Sequence, residues 1–433
     1  MSTYAPPDGG NSAKLAARNS SLEVGFWSVA FAYLAVMAMG TVPSPLYGLY
    51  QARDGFSTFT ITLIFAAFSL GSTISLFLAG HISDWHGRKR ILLPGIALSA
   101  AGAAVFLVWR SVPGLLVARF IGGLSVGMVA ATATAYLLDL QRHGRPQAPN
   151  ARAQLTANSV NVGGLGLGAL ASGFLAQYVR SPLTVPYLVL LGALAVAFLL
   201  VLIAPDPHEP PVPRPAYRPQ RVAVPPNARG QYFAAIAGVA IAFAGLGLFT
   251  SLAGVFLAGT LHRTALSLAG GTVFAVFAGA VAAQFISIRW SRRAVLSAGM
   301  GLQLVGLGLV VLAAWLPSPS LAAYLIGGFV SGSGAGLTLK GGFGTVMMLS
   351  EPARRAESAA GVLLAGYLGL SVPAIGVGVA LQEVSTKVTL LGFAVFVALV
   401  IITAAPIMLR SQQRGGGDGA SPRVGGAAAA PGH

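Results

Sequence analysis

Gly80-His81-Ile82-Ser83-Asp84-Trp85-His86-Gly87-Arg88-Lys89-Arg90 lies between two long apolar runs. Its last seven residues hold a carboxylate, a glycine and three cations, in a chain where only 9% of residues are charged. Apolar runs on either side read as membrane-spanning helices, because about 20 apolar residues cross the hydrocarbon core. The cluster then becomes a short hairpin between two spans, and its cations predict that it faces the cytoplasm.

Composition agrees. The 433 residues are 55% hydrophobic and include 56 glycines, and the mean hydropathy is +0.75. These values describe a chain that lives mostly in lipid, where small residues let helices approach closely. The absence of cysteine excludes disulfides, thiolate metal sites and cysteine nucleophiles. A net charge of +16 raises the question of nucleic acid, but the cations sit in short clusters between apolar runs, so no nucleic-acid partner is expected. Residues 1–25 read as a polar N-terminal tail with Lys14 and Arg18. The run that follows is too long for a signal-peptide core and is read as a retained first span.

Scanning outward from the hairpin gives twelve apolar runs, at roughly 26–50, 58–82, 91–109, 113–139, 154–178 and 183–204, then roughly 231–259, 265–288, 294–316, 319–349, 356–381 and 388–409. With the N-terminus inside, fifteen Lys and Arg fall in inward loops, among them Arg88, Arg142, Arg145, Arg152, Arg221, Arg292 and Arg354. Only five (Arg53, Arg110, Arg180, Arg263 and Lys387) fall in outward ones. That asymmetry predicts both termini in the cytoplasm. Residues 205–229 carry nine prolines and four arginines without helical periodicity, and are read as a cytoplasmic connector. It separates an N-terminal bundle (26–204) from a C-terminal one (230–410). Residues 411–433 read as a Gly/Ala/Pro-rich disordered tail. Ala118–Leu124 can be laid on Ala323–Phe329 at an offset of 205 residues, and the same offset brings Trp85 onto Trp290 and Arg88 onto Arg293. A duplicated six-helix unit is the simplest source of that agreement.

The pattern Gly-x-x-x-Asp-x-x-Gly-Arg-Lys at residues 80–89, between spans two and three, resembles the loop signature of the major facilitator superfamily, the twelve-helix secondary transporters. The fold this implies is an all-α membrane protein, with twelve transmembrane helices in two pseudo-symmetric six-helix bundles. The resemblance also implies a conformational latch of the outward-facing state. Gly80 would approach span eleven, Asp84 would face that span's N-terminus, and Arg88 would pair with Asp139, with Gly87 and Lys89 completing the motif. Arg119 resembles the family's buried arginine in span four and is the coupling candidate, although Gly122 stands where the family has glutamine. The glycines after Asn161 resemble the antiporter motif of bacterial efflux-type members, with Ala169 in place of the helix-bending proline. Gly164, Gly168 and Gly173 are read as helix-packing positions. Gly40-Thr41-Val42-Pro43-Ser44-Pro45 resembles the proline-bearing first helix of twelve-span exporters, and also reads as a plain helix end.

Gln154, Asn158 and Asn161 follow i, i+4, i+7 and share one helical face. Lys340 lies some ten residues from the inner end of its span, about 15 Å deep at 1.5 Å per residue, and is expected to face the central cavity. The cavity-lining candidates are Tyr33, Tyr136, Asn158, Asn161, Gln284, Lys340 and Tyr367, with Arg119. All eleven acids fall in loops, tails or span ends, which disfavours a cation-selective cavity and favours neutral or anionic substrates. His81 and His86 lack ligand-grade neighbours, so no metal site is expected. No catalytic constellation is legible.

The resulting expectation is a monomeric carrier of a small molecule in the bacterial inner membrane. It works by alternating access, with proton-coupled efflux the leading reading, and has no cofactor beyond the ion gradient the resemblance implies. Uptake or exchange of an organic anion or sugar-like solute is the alternative within transport. A membrane receptor or scaffold is the alternative outside it.

Overall fold

A computed structural model describes residues 9–79, 82–147, 149–208, 219–351 and 354–414. Among them every regular element is a helix. The first half comprises α1 (Gly9–Met39), α2 (Tyr47–Asp54), α3 (Thr58–Ala79), α4 (Ser83–His86), α5 (Arg88–Val108), α6 (Val112–Gly144), α7 (Ala151–Tyr178) and α8 (Val185–Ile203). The second comprises α9 (Arg229–Leu261), α10 (Leu266–Ile286), α11 (Arg292–Trp315), α12 (Leu321–Leu349), α13 (Arg355–Glu383) and α14 (Thr386–Arg414). Twelve helical segments are long and apolar enough to cross a membrane, with α1 and α2 joined as one, Ala17–Asp54.

The duplication appears in which helices touch. In the first half α6 packs on α1, α3 and α5, α1 on α7 and α8, and α5 on α8. In the second half α12 packs on α9, α10 and α11, α9 on α13 and α14, and α11 on α14. Each of these contacts in one half thus has its counterpart in the other. Glycine explains why the same surfaces meet. A methyl added at Gly127 of α6 would lie 2.6 Å from the Ser72 carbonyl of α3. One added at Gly332 of α12, 205 residues on, would collide with the Val276 carbonyl of α10. Only a residue without Cβ permits such backbone contact.

The halves meet through α3 with α13 and α7 with α10. A methyl at Gly173 of α7 would lie 2.5 Å from the Leu266 carbonyl, and one at Gly270 of α10 would strike the Ala169 carbonyl. At Gly378 of α13 it would strike Thr62. All three points lie at helix ends remote from the arginine-rich loops, so the halves are closed together on the face opposite those loops.

Both ends are helical beyond the spans expected. In the polar N-terminal stretch α1 already begins at Gly9 and runs unbroken to Met39. Its Glu23 carboxylate is held by Arg152, lies 3.3 Å from Arg145 Nε, and accepts a 3.1 Å bond from Trp27 Nε1. At the other end α14 continues to Arg414. Residues 1–8, 209–218 and 415–433 lie outside the described set.

Candidate functional site

Three places carry the polar chemistry: the cluster on the arginine-rich face, the break in the first span, and the interior between the halves. On the arginine-rich face the chain turns from α4 into α5 at Gly87, whose φ of +94° suits glycine alone. Arg88 is buried, donating from Nε to Asp139 Oδ2 at 2.9 Å and from Nη1 to Ser83 Oγ at 3.0 Å. The pair lies within the first half, and it is formed while the opposite face is shut. Its presence therefore does not distinguish an outward-facing state. Gly80 lies outside the described residues, as does the side chain of Asp84.

The connector joins this cluster. Asp206 Oδ2 accepts from the Lys89 backbone N–H at 3.0 Å, Lys89 Nζ donates to the Ala204 carbonyl at 2.9 Å, and His208 Nδ1 stands 3.4 Å from Asp139 Oδ2. Tyr136, expected in the cavity, is fully buried, and its hydroxyl donates to the Pro205 carbonyl at 2.8 Å. Further along, the Gln220 N–H donates to Phe77 O of α3 at 2.9 Å and the Ala223 N–H to Glu357 O of α13 at 3.4 Å. Ser358 Oγ donates to Ala223 O at 3.1 Å. Residues 220–223 thus bridge the two halves. A cavity of about 120 Å³ opens beside them, with Ser350, Glu351, Arg354 and Ser358 in its wall.

Pro43 and Pro45 end the first helix, because proline supplies no N–H to the preceding turn. In the break Ser44 N–H turns to Thr41 O at 2.9 Å, which leaves the Gly40 carbonyl to Arg119 Nη1 at 2.7 Å. Thr41 Oγ1 donates to Leu165 O at 2.5 Å and Ser172 Oγ to Val42 O at 2.7 Å, tying the break to α7. Arg119 is 1% exposed, with its guanidinium carbon 4.6 Å from the Phe68 ring centre and 5.5 Å from that of Phe65. Snorkelling to the headgroups is therefore excluded.

Between the halves, Tyr33 accepts a 3.5 Å bond from Thr134 Oγ1 and is close enough to Tyr367 of the other half to interact electrostatically. Tyr367 also stands edge-on to Phe243, with ring centres 6.3 Å apart. Asn158 is exposed and Asn161 half-buried on α7. Lys340 is half-buried, so its charge is not sealed from water. Its ammonium donates to Ser287 O and Ser287 Oγ at 3.0 Å and to Gln284 O at 3.3 Å, closing the last turn of α10. Final-turn carbonyls lack helical partners and carry the negative end of the helix dipole, so a cation satisfies them twice over. Gln284 contributes its carbonyl to this cap. Gly164 and Gly168 pack on α1, at Leu34 and Ala38, and Gly173 on α10 of the other half.

Sequence reasoning missed the Glu23–Arg145–Arg152 cluster and the role of Asp206. Their partners are more than 100 residues away, and no local pattern announces them. Among the described residues no group of His, Cys, Asp or Glu has the arrangement of a metal site.

Two sets of six apolar helices that repeat each other's packing and share one interior define a multi-pass membrane protein of the transporter type. The family model of the Major Facilitator Superfamily matches residues 29–285, and the chain belongs to that superfamily. It is 28% identical over 178 residues to the quinolone resistance protein NorA of Staphylococcus aureus, covering 41% of this chain and 43% of that one. It is 26% identical over 119 residues to the arabinose-proton symporter of Bacillus subtilis, covering 28% and 25%. These matches span less than half the length of either relative. Among solved structures, the nucleoside transporter NupG (D323A mutant) superposes with a TM-score of 0.69 at 11% identity, covering 88% of this chain and 99% of that one. The human organic anion transporter MFSD10 superposes with a TM-score of 0.61 at 17% identity, covering 89% and 99%. These likenesses concern the fold.

Proposed function

We propose that the protein exports a small neutral or anionic molecule across the bacterial cytoplasmic membrane by alternating access, in exchange for protons, acting as a monomer with both termini in the cytoplasm. The observation that carries the substrate class is the polar content of the interior. Beside the cations Arg119 and Lys340 it comprises hydroxyls and amides (Tyr33, Thr134, Tyr367 and Asn161), while the described acids sit at span ends or in loops. A cationic substrate crossing such an interior would find no counter-charge, whereas a neutral one loses little. Efflux is favoured by the likeness to a resistance protein, and coupling to protons by the likeness to a proton symporter. Arg88, Asp139 and Ser83, with Gly80, Asp84, Gly87 and Lys89, would steady the cytoplasmic ends of α3 and α5 as the halves rock.

Exchange of an organic anion is the second reading. It rests on Arg119 and on the half-buried Lys340, whose ammonium is also held by the end of α10. Purified protein in proteoliposomes, loaded with neutral, anionic and cationic fluorescent substrates, tests the proposal with and without an imposed pH gradient. Gradient-driven movement of neutral or anionic compounds supports it. Selective movement of cations, or flux indifferent to the gradient, refutes it.

A further inference from the structure

The two halves differ in how they balance charge at matching turns on the arginine-rich face. No Asp or Glu occurs between Glu209 and Glu351, so α9 to α12 and the turns between them carry cations alone. Three of those cations, Arg289, Arg292 and Arg293, crowd the turn from α10 to α11. The matching turn of the first half is also basic, but acids stand among its cations. Asp139 Oδ2 accepts from Arg88 Nε at 2.9 Å, and Asp206 Oδ2 accepts from the Lys89 backbone N–H at 3.0 Å.

The duplication locates the difference. Arg88 is the first residue of α5 and Arg292 the first of α11, which makes them structural counterparts, one residue before the Arg293 that the offset of 205 selects. The same offset carries Asp139 onto Gly344. A Cβ built on Gly344 would lie 3.7 Å from Arg292 Nε, with no other group of a neighbouring helix within 4 Å among the described residues. The approach of arginine to that position is therefore kept in the second half, while the carboxylate is replaced by a glycine. Arg289 and Arg293 are exposed on either side of Arg292.

The side chains interleaved with these arginines say what could meet them. Phe285, Ile286, Ile288 and Trp290 are apolar and lie 43–69% exposed. A water-borne anion would leave them uncovered, whereas a phospholipid covers them with acyl chain and presents its phosphate to the arginines. Tryptophan favours the headgroup level, and basic clusters at the inner ends of spans attract anionic headgroups. Guanidinium groups donate paired N–H bonds to phosphate oxygens. The turn is also held in place, by Lys340 on Ser287 and Gln284 and by Ser291 Oγ, which accepts from the Ala294 N–H at 3.3 Å.

We propose that the turn between α10 and α11 binds the phosphate of one anionic phospholipid, from the leaflet on the arginine-rich side, through Arg289, Arg292 and Arg293. The lipid phosphate takes the part that Asp139 plays in the first half. This site is independent of the direction and substrate of transport proposed above.

The test is thermal unfolding of the purified full chain in detergent. It is titrated with phosphatidylglycerol, with phosphatidylcholine of the same acyl chains, and separately with inorganic phosphate. The wild type should show a saturable rise of about 2 °C or more in midpoint with phosphatidylglycerol, and a smaller one or none with the other two. Replacing Arg289 and Arg293 together by Gln should remove the excess, whereas Arg90→Gln, which takes one exposed cation from the first-half turn, should keep it. Gly344→Asp leaves every arginine in place but returns a carboxylate to Arg292, and should also weaken the response. That variant decides the matter if the double replacement fails to fold. Equal rises with the two lipids, a rise matched by inorganic phosphate, or a phosphatidylglycerol response undiminished in either variant would overturn the site.

Discussion

Replacing Lys340 by Met separates two roles for a charge inside a membrane span. Methionine keeps most of the side-chain volume and removes the ammonium, which leaves Ser287 O with the Trp290 N–H at 3.1 Å and Gln284 O with the Ser287 hydroxyl at 3.2 Å. Hydrogen bonds to a charged group contribute about 1.5–3 kcal/mol when buried. The helix-end interaction adds about 0.3–1 kcal/mol. Lys340 is only half-buried, so water recovers part of the loss, and a net cost of about 2 kcal/mol follows. For a chain of this length that is a fall of about 2 °C in midpoint. Thermal unfolding in detergent, run beside flux of anionic and neutral substrates, is the assay. The expected result is lower stability with the ranking of substrates unchanged, and partial recovery in Lys340→Arg. Unchanged stability with selective loss of anion flux would show that the cap is incidental and that the ammonium serves the substrate.

Asp139→Asn should lower the midpoint by about 2–4 °C, since it weakens a pair whose side chains are 9% and 16% exposed. Arg88→Gln on top of it should add little in a double-mutant cycle, and full additivity would show that the two residues act independently. Gly332→Val should prevent folding, or cost more than about 3 kcal/mol, by driving α12 off the Val276 carbonyl, whereas Gly271→Ala, where a methyl meets open space, should be close to neutral. Equal expression and stability of those two variants would contradict the close backbone approach. Gln220→Pro and Ala223→Pro each delete one backbone donor to a different half, to Phe77 O and Glu357 O. Either should raise protease sensitivity between residues 219 and 228 without reducing expression, and unchanged cleavage would mean the bridge contributes nothing.

What the sequence disclosed and what it hid divide by range of interaction. Membrane spans are legible because hydropathy over about 20 residues is a local sum. The duplication is legible because the glycines that bring backbones together must recur at equivalent depths, as Gly127 and Gly332 do. The partners of Lys340 were hidden for a definable reason. Its depth was reckoned from the end of its own helix, Leu349, whereas the group that captures it is the end of a neighbour, Ile286–Ser287. The extension of α1 was hidden because residues before 26 look polar, and only the partners Arg145 and Arg152 show why Glu23 is fixed there. Arg119 was found by its charge, but its dependence on Gly40 follows from how two prolines redirect a single carbonyl.

The connector changes how coupling between the halves should be pictured. Arg88 and Asp139 belong to the same half, so making or breaking that pair cannot by itself report on the other half. Asp206 and His208 extend the cluster into the connector, and some twelve residues later the same segment donates to α3 and then to α13. Residues 220–223 are the described part of the connector that straps α3 to α13. Rocking of the halves on the cytoplasmic face must either break the bonds at residues 220 and 223 or carry the strap with one half. The strap is held to α3 by one bond, at 2.9 Å, and to α13 by two, the Ala223 N–H to Glu357 O at 3.4 Å and Ser358 Oγ to Ala223 O at 3.1 Å, so rocking must break the single bond on one side or the pair on the other.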